Sequence, residues 1–448
     1  MCAWGRTRPH YGGTLHVEVE GDAWQGADGL ARRLVFDGLT SLDADGVVQP
    51  ALATGWQSDD NNHRWEFRLR SNVQFQDGSP VTVDGVVMSL NLACNGNCPW
   101  SAVRAVGSSI VFTSESPLPN LPSLLAGDAF LIQLTRTADG QAPGQPTGTG
   151  AYQVAPIMGS TMGSSVGSGV ASTASNILTL TANENCWRGR PFADQIILTS
   201  HRAIRDQWLD LSVGRADVVE VPAEQLRQAQ QRRLTVFVSP PVLLLALEVS
   251  NSGSLANPAL RAAIAHAVDR SALYNVIFQK QGEVTASLLP QSLSGYSFLF
   301  PVERDMNKAN ELRGGLSTSP LTLRTDSDGV MQLTAQRLAL NLHETGFNVQ
   351  MAAANAPHAD LVLTKLPIAG DAAGALANLL LAAGQTPSVA GRDPEAIFRV
   401  EHDFLDQHTI VPLLDLPRAY ATGSRVRNFA LRADGTPDLA ATSVEDAP

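Results

Sequence analysis

Apolar and polar positions alternate along one stretch of the chain more regularly than anywhere else. Trp65, Phe67 and Leu69 interleave with Glu66, Arg68 and Arg70, and the alternation resumes at Val73 and Phe75. A period of two predicts a half-buried strand. Asp77-Gly78 then supplies a turn, and Thr82 caps a helix with Asp84 in its first turn. Further on the period lengthens. Asn257-Pro258 opens a helix whose apolar stripe is Leu260, Ile264 and Ala267. The uninterrupted apolar runs, 242–247 and 379–383, are core segments far shorter than a membrane span.

Strands and helices therefore alternate irregularly, which predicts a mixed α/β architecture. A chain of 448 residues exceeds one compact core and predicts two or three domains. The net charge of −11 argues against nucleic acid and against an anionic membrane surface as partners.

The order of residues is more specific than their periodicity. Leu52, Ala53 and Trp56, then Trp65, Phe67, Leu69, Arg70, Val73, Phe75, Asp77, Gly78 and Pro80, resemble a block of the family 5 extracytoplasmic solute-binding proteins. These are the peptide- and nickel-type receptors of ABC importers. Here Gly85 separates Asp84 from Val86, where the family has adjacent Asp-Val. Thr147-Gly148-Thr149-Gly150-Ala151-Tyr152 resembles the family's G-T-G-P-Y, and 185–192, containing Cys186, Trp187, Gly189 and Pro191, resembles its N-x-x-Y-W-x-G-x-P segment. Arg261, Ala263, Ala267, Asp269 and Arg270 look like another family helix, as do Lys308, Ala309 and Leu312. The likeness runs from about Tyr11 to Phe429.

The resemblance implies a bilobal periplasmic-binding-protein fold, type II-like, with an extra subdomain in lobe one. Lobe one is expected at 1–240 and 416–448, with the subdomain at about 50–190, and lobe two at 241–415. The chain is expected to cross between lobes at 242–249 and 410–414. The implied function is a non-enzymatic receptor that binds a small peptide or other organic solute between the lobes and delivers it to an ABC permease, as a monomer without a cofactor. A sensor or scaffold without transport is the alternative. The implied location is periplasmic or otherwise extracytoplasmic. No signal peptide is visible at Met1-Cys2-Ala3-Trp4, and Cys2 leaves lipoprotein anchoring open.

The family's architecture also points to the site. In peptide-binding members one wall is the loop after the first strand, here Glu20, Asp22 and Trp24. The opposite wall includes an aspartate that pairs with the peptide ammonium in a G-W-x-x-D segment. The corresponding stretch here, 360–371, lacks the Gly-Trp, and Asp371 and Lys365 are its charged candidates. The segment 349–358 is shorter than in the family, so lobe two is expected to be trimmed.

Other chemistry is thin. Cys94 and Cys98 are close enough to form a small disulfide in an oxidising compartment, whereas a zinc site normally needs a second pair. Gly163-Ser164-Ser165-Val166-Gly167 matches G-x-S-x-G formally, but its neighbours are more Gly and Ser, not the strand and helix a nucleophile elbow requires. A hydrolase therefore has no other support. No catalytic residue and no metal site is expected.

Overall fold

A computed structural model describes residues 11–24, 29–94, 98–136, 143–155, 176–295, 301–316, 319–326, 329–385 and 393–445. The chain forms two compact units. One comprises Met1–Val221, Ala229–Phe237 and Tyr420–Pro448, the other Pro222–Gln228 and Val238–Ala419. The expected divisions at 240/241 and 415/416 compare with 237/238 and 419/420. Two long strands, Thr235–Val249 and Ile410–Thr422, carry the chain from one unit into the other.

In the first unit, strand Thr14–Glu18 buries Leu15 and Val17. It lies parallel to Gln195–Thr199 on one side and to Val218–Glu220 on the other. Ile177–Ala182 and then Tyr152–Val154 extend the sheet in antiparallel register. These last two strands fall within the 50–190 span expected for a separate subdomain, so that expectation is corrected: by pairing, they belong to the main sheet. What stands apart is a four-stranded antiparallel sheet in the order Ala53–Ser58, Arg64–Leu69, Ser109–Thr113, Ala102–Val106.

That small sheet follows the alternation read above. Phe67 is fully buried and meets Phe112 edge-on at 5.4 Å. The Trp65 indole donates to the Leu118 carbonyl at 3.0 Å, so a large aromatic is buried with its one donor satisfied. Gly78 takes the left-handed φ of +84° that the turn demands, and Ser79 N donates to the Asp77 carboxylate. Helix Val83–Cys94 begins with Thr82 Oγ1 accepting from Gly85 N at 3.1 Å. At its other end the structure joins Cys94 to Cys98 by a disulfide.

Segments 147–152 and 185–192 meet on one buried carboxylate, Asp37. Thr149 Oγ1 and the Trp187 indole both donate to it, at 2.9 and 2.8 Å, and Arg188 pairs with it at 3.2 Å. Arg70 lies over the Trp187 ring at 4.6 Å. Gly148 and Gly150 are glycines because a Cβ there would fall 2.2 Å from the Val35 carbonyl oxygen and 2.4 Å from that of Leu34. These motif residues therefore fasten the fold together.

In the second unit the strand order is Val349–Met351, Leu321–Arg324, Leu361–Pro367, Thr235–Val249, Ile410–Thr422, with Glu283–Val284 paired to the last. Helix Pro258–Ala267 packs Leu260, Ile264 and Ala267 into its core, and the Asn257 side chain accepts from Ala259 N at 3.0 Å. Helix Gly329–Glu344 ends just before Gly346, whose φ is +83°. No helix among the described residues is long and apolar enough to cross a membrane.

Candidate functional site

In the first unit the strand Thr14–Glu18 has a parallel neighbour on each side, so the loops leaving all three strands gather at one edge of the sheet. In open α/β sheets, ligands sit beyond the carboxyl ends of strands at such a switch point. The loop that leaves the first strand carries Glu20, Asp22 and Trp24, and it is laced to its neighbours. Glu20 N donates to the Glu220 carboxylate at 2.6 Å, and Ala23 N to Ser200 Oγ at 3.0 Å. His201 N and Arg202 N donate back to the carbonyls of Gly21 and Val19.

Within the loop, the Asp22 carboxylate accepts from Trp24 N at 2.8 Å, a local Asx turn that fixes the approach to Trp24. The Trp24 ring is half-buried and meets Phe36 edge-on at 5.9 Å, resting on the unit's core. An indole held this way is preorganised, which lowers the entropy lost when it packs against a ligand.

Beneath the loop lies a buried charge cluster. Arg202 approaches Glu18 at 3.5 Å and also pairs with Asp210. Burial pushes the Glu18 carboxyl above its ordinary value, Arg202 pulls it back down, and Asp210 adds to the rise. Helix Ile204–Ser212 organises the cluster. Its fully buried Gln207 donates to the Arg202 carbonyl at 2.8 Å and accepts from Glu220 N at 3.0 Å, while the Trp208 indole donates to the Glu220 carbonyl at 3.2 Å. This edge holds oriented carboxylates and an aromatic ring.

Sequence reasoning missed Ser200, Arg202, Gln207 and Glu220. Gln207 carries a faint signal, since a polar residue occupies the apolar stripe of Ile204, Trp208 and Leu211. The other three come near Glu20 only through parallel strand pairing almost two hundred residues distant.

The two candidates from the second unit stand on successive elements. Lys365 is a half-buried residue of strand Leu361–Pro367, opposite Leu245. Asp371 caps helix Ala372–Ala382, its carboxylate accepting from Gly374 N at 2.9 Å. Gly163–Gly167 and Cys2 lie outside the described residues. Among the described residues, no group of three or more His, Cys, Asp or Glu could hold a metal ion.

The family model for bacterial extracellular solute-binding proteins, family 5 (middle), matches residues 47–361. The chain belongs to this family. A curated relative, the probable ABC transporter periplasmic-binding protein SapA of Escherichia coli (strain K12), is 26% identical over 319 residues, which are 62% of this chain and 55% of that protein. The chain thus spans little more than half the length of that relative. Among solved structures, AgaA from A. tumefaciens R10 in complex with agropinic acid has a TM-score of 0.79 at 19% identity, covering 97% of this chain and 99% of that one. The oligopeptide-binding protein AppA from Bacillus subtilis, in complex with a nonapeptide, has a TM-score of 0.76 at 16% identity, covering 98% and 100%. These likenesses establish the mixed α/β fold of family 5 solute-binding proteins.

Proposed function

We propose that this chain is a non-enzymatic extracytoplasmic receptor that binds an organic solute and hands it to an ABC permease. The observation that carries the reading is the family match over 47–361, which takes in parts of both units. The switch-point edge of the first unit supports it: Trp24 offers a fixed apolar surface, and Glu20 and Asp22 offer acceptors beside it. Lys365 and Asp371 are the proposed solute contacts from the second unit. AgaA and AppA, which share the fold, were solved with agropinic acid and with a nonapeptide. A small peptide or another polar organic molecule is the proposed solute class. The test is mass spectrometry of small molecules released from protein purified under native conditions, alongside broad esterase and peptidase assays. One dominant solute that rebinds and raises the melting temperature is expected. Turnover in the assays, or no solute that rebinds, overturns the proposal.

A further inference from the structure

The second unit contains a polar cavity of about 60 Å³ lined in part by Glu283, Thr285, Ser287, Gln291, Ser294 and Asp415. Asp415 is only 2% exposed, and among the described residues its Oδ1 has no hydrogen-bond partner. A buried carboxylate oxygen without a protein partner is costly unless a donor reaches it from outside the chain. Strand pairing makes the situation worse. Glu283 sits directly opposite Asp415 in antiparallel register, and like charges facing each other across a ladder repel. The pairing is held tightly. Gly282, at φ +84°, lies so close that a Cβ would come within 2.5 Å of the Asp415 carbonyl oxygen.

The rest of the wall is fixed too. Thr285 Oγ1 accepts from Ser287 N at 3.1 Å, and the buried Glu401 carboxylate accepts from Leu288 N and Leu289 N at 2.5 and 3.2 Å. Among the described residues, no Lys, Arg or His lines the cavity. Burial pushes Asp415 up to about 8, with Glu283 and Glu401 adding to the rise and Thr285 opposing it.

We propose that this cavity is a binding site for a primary ammonium group, with Asp415 as its principal acceptor and Glu283 as the second. The shape and chemistry fit that occupant. An ammonium has three N–H donors and no acceptor, so two carboxylates and one hydroxyl or amide oxygen satisfy it. A hard divalent cation takes six to eight oxygen ligands, and among the described residues no group of three or more His, Cys, Asp or Glu could hold a metal ion. A cavity of about 60 Å³ admits an aminomethyl group but not an extended ligand. The proposal rests on the receptor reading only for what carries the amine, so small amines test it independently.

The probe is propylammonium, with propanol as its neutral counterpart and calcium and magnesium as inorganic arms. Binding is followed by calorimetry on the whole protein near neutral pH at constant ionic strength. Propylammonium is expected to bind saturably, propanol not, and two buffers of different ionisation enthalpy should reveal proton release as Asp415 ionises. Asp415→Asn is expected to weaken binding about tenfold or more, and Glu283→Gln several-fold. The Glu283 variant keeps the test valid if the buried Asn disturbs folding, which circular dichroism checks. The proposal fails if propylammonium does not saturate, if both variants bind it like the parent, or if only calcium or magnesium saturates. Amine binding with no co-purifying solute would leave this site standing and count against the receptor reading alone.

Discussion

The first unit's loop edge and the second unit's cavity are built from the same residue types and end in opposite conditions. At the loop edge Glu18 and Asp210 share Arg202, and Glu220 accepts from Glu20 N. Around Asp415 the carboxylates Glu283 and Glu401 add to the rise; Asp415 Oδ1 and Glu18 Oε2 both lack a hydrogen bond among the described residues, but Glu18 Oε2 has Arg202 at 3.5 Å. Burial is the largest cause raising the carboxyl in both places. The outcome differs because a guanidinium lies beside Glu18 and, among the described residues, no cation lines the cavity at Asp415. The lesson is that a carboxylate becomes a candidate for ligand recognition through what is missing around it.

The largest effect that sharpens this contrast is on stability against pH. Burial holds the proton on Asp415 up to about 8 and on Glu401 up to about 7. Both groups therefore release their protons at higher pH in the fold than in the unfolded chain. Their contribution is greatest below the ordinary carboxylate range, falls as pH rises through it, and is gone above about 8. Without amine, stability should drop by roughly 3–6 kcal/mol between pH 5 and 8, and Asp415→Asn should flatten much of that slope. Denaturant titrations at both pH values measure it; equal slopes in parent and variant would break the contrast.

Next is Arg202→Ala, which leaves Glu18 and Asp210 facing each other. Losing one partner of a fully buried pair costs roughly 3–5 kcal/mol. Arg202 is 34% exposed and Arg215 also approaches Asp210 at 3.7 Å, so about 2 kcal/mol is expected after solvent screening. Denaturant unfolding of the variant reads this directly. No loss would mean the loop edge is as incompletely paired as the cavity.

Trp24→Ala should weaken binding of the co-purified solute by about 1–3 kcal/mol, through lost apolar and stacking area. Parent-like binding would remove the loop after the first strand from the site. Asp371 separates two roles with two variants. Asp371→Ala should cost about 1 kcal/mol of stability as a lost helix cap, whereas Asn caps equally well. Asp371→Asn should weaken a cationic solute only if the carboxylate touches it, so parent-like binding confines Asp371 to capping.

Much of the fold was legible because it is local. The alternation at Trp65 and Phe67, the Asp77-Gly78 turn, and the Asn257 and Thr82 caps all involve residues within a few positions of one another. The motifs at 52–80, 147–152 and 185–192 revealed the family for a structural reason: residues from them converge on Asp37 or pack beside it. The subdomain's far boundary was misread because Ile177–Ala182 is assigned by its partner Gln195–Thr199, which periodicity does not reveal. Asp415 was passed over for a related reason. It interrupts the apolar run Ile410–Pro417, a visible oddity, but Glu283 meets it only through antiparallel pairing across more than a hundred residues. Sequence order exposes strands, turns and caps, while the chemistry of a site depends on pairings it does not spell out.

The central proposal is that this chain is a solute receptor, and two-lobed binding proteins are expected to close around a ligand bound between their lobes. Small-angle scattering of the whole protein, without and with a saturating amount of the co-purified solute, tests it most directly. The account predicts a smaller radius of gyration in the bound state, together with a higher melting temperature. Tight binding with an unchanged radius of gyration would contradict it.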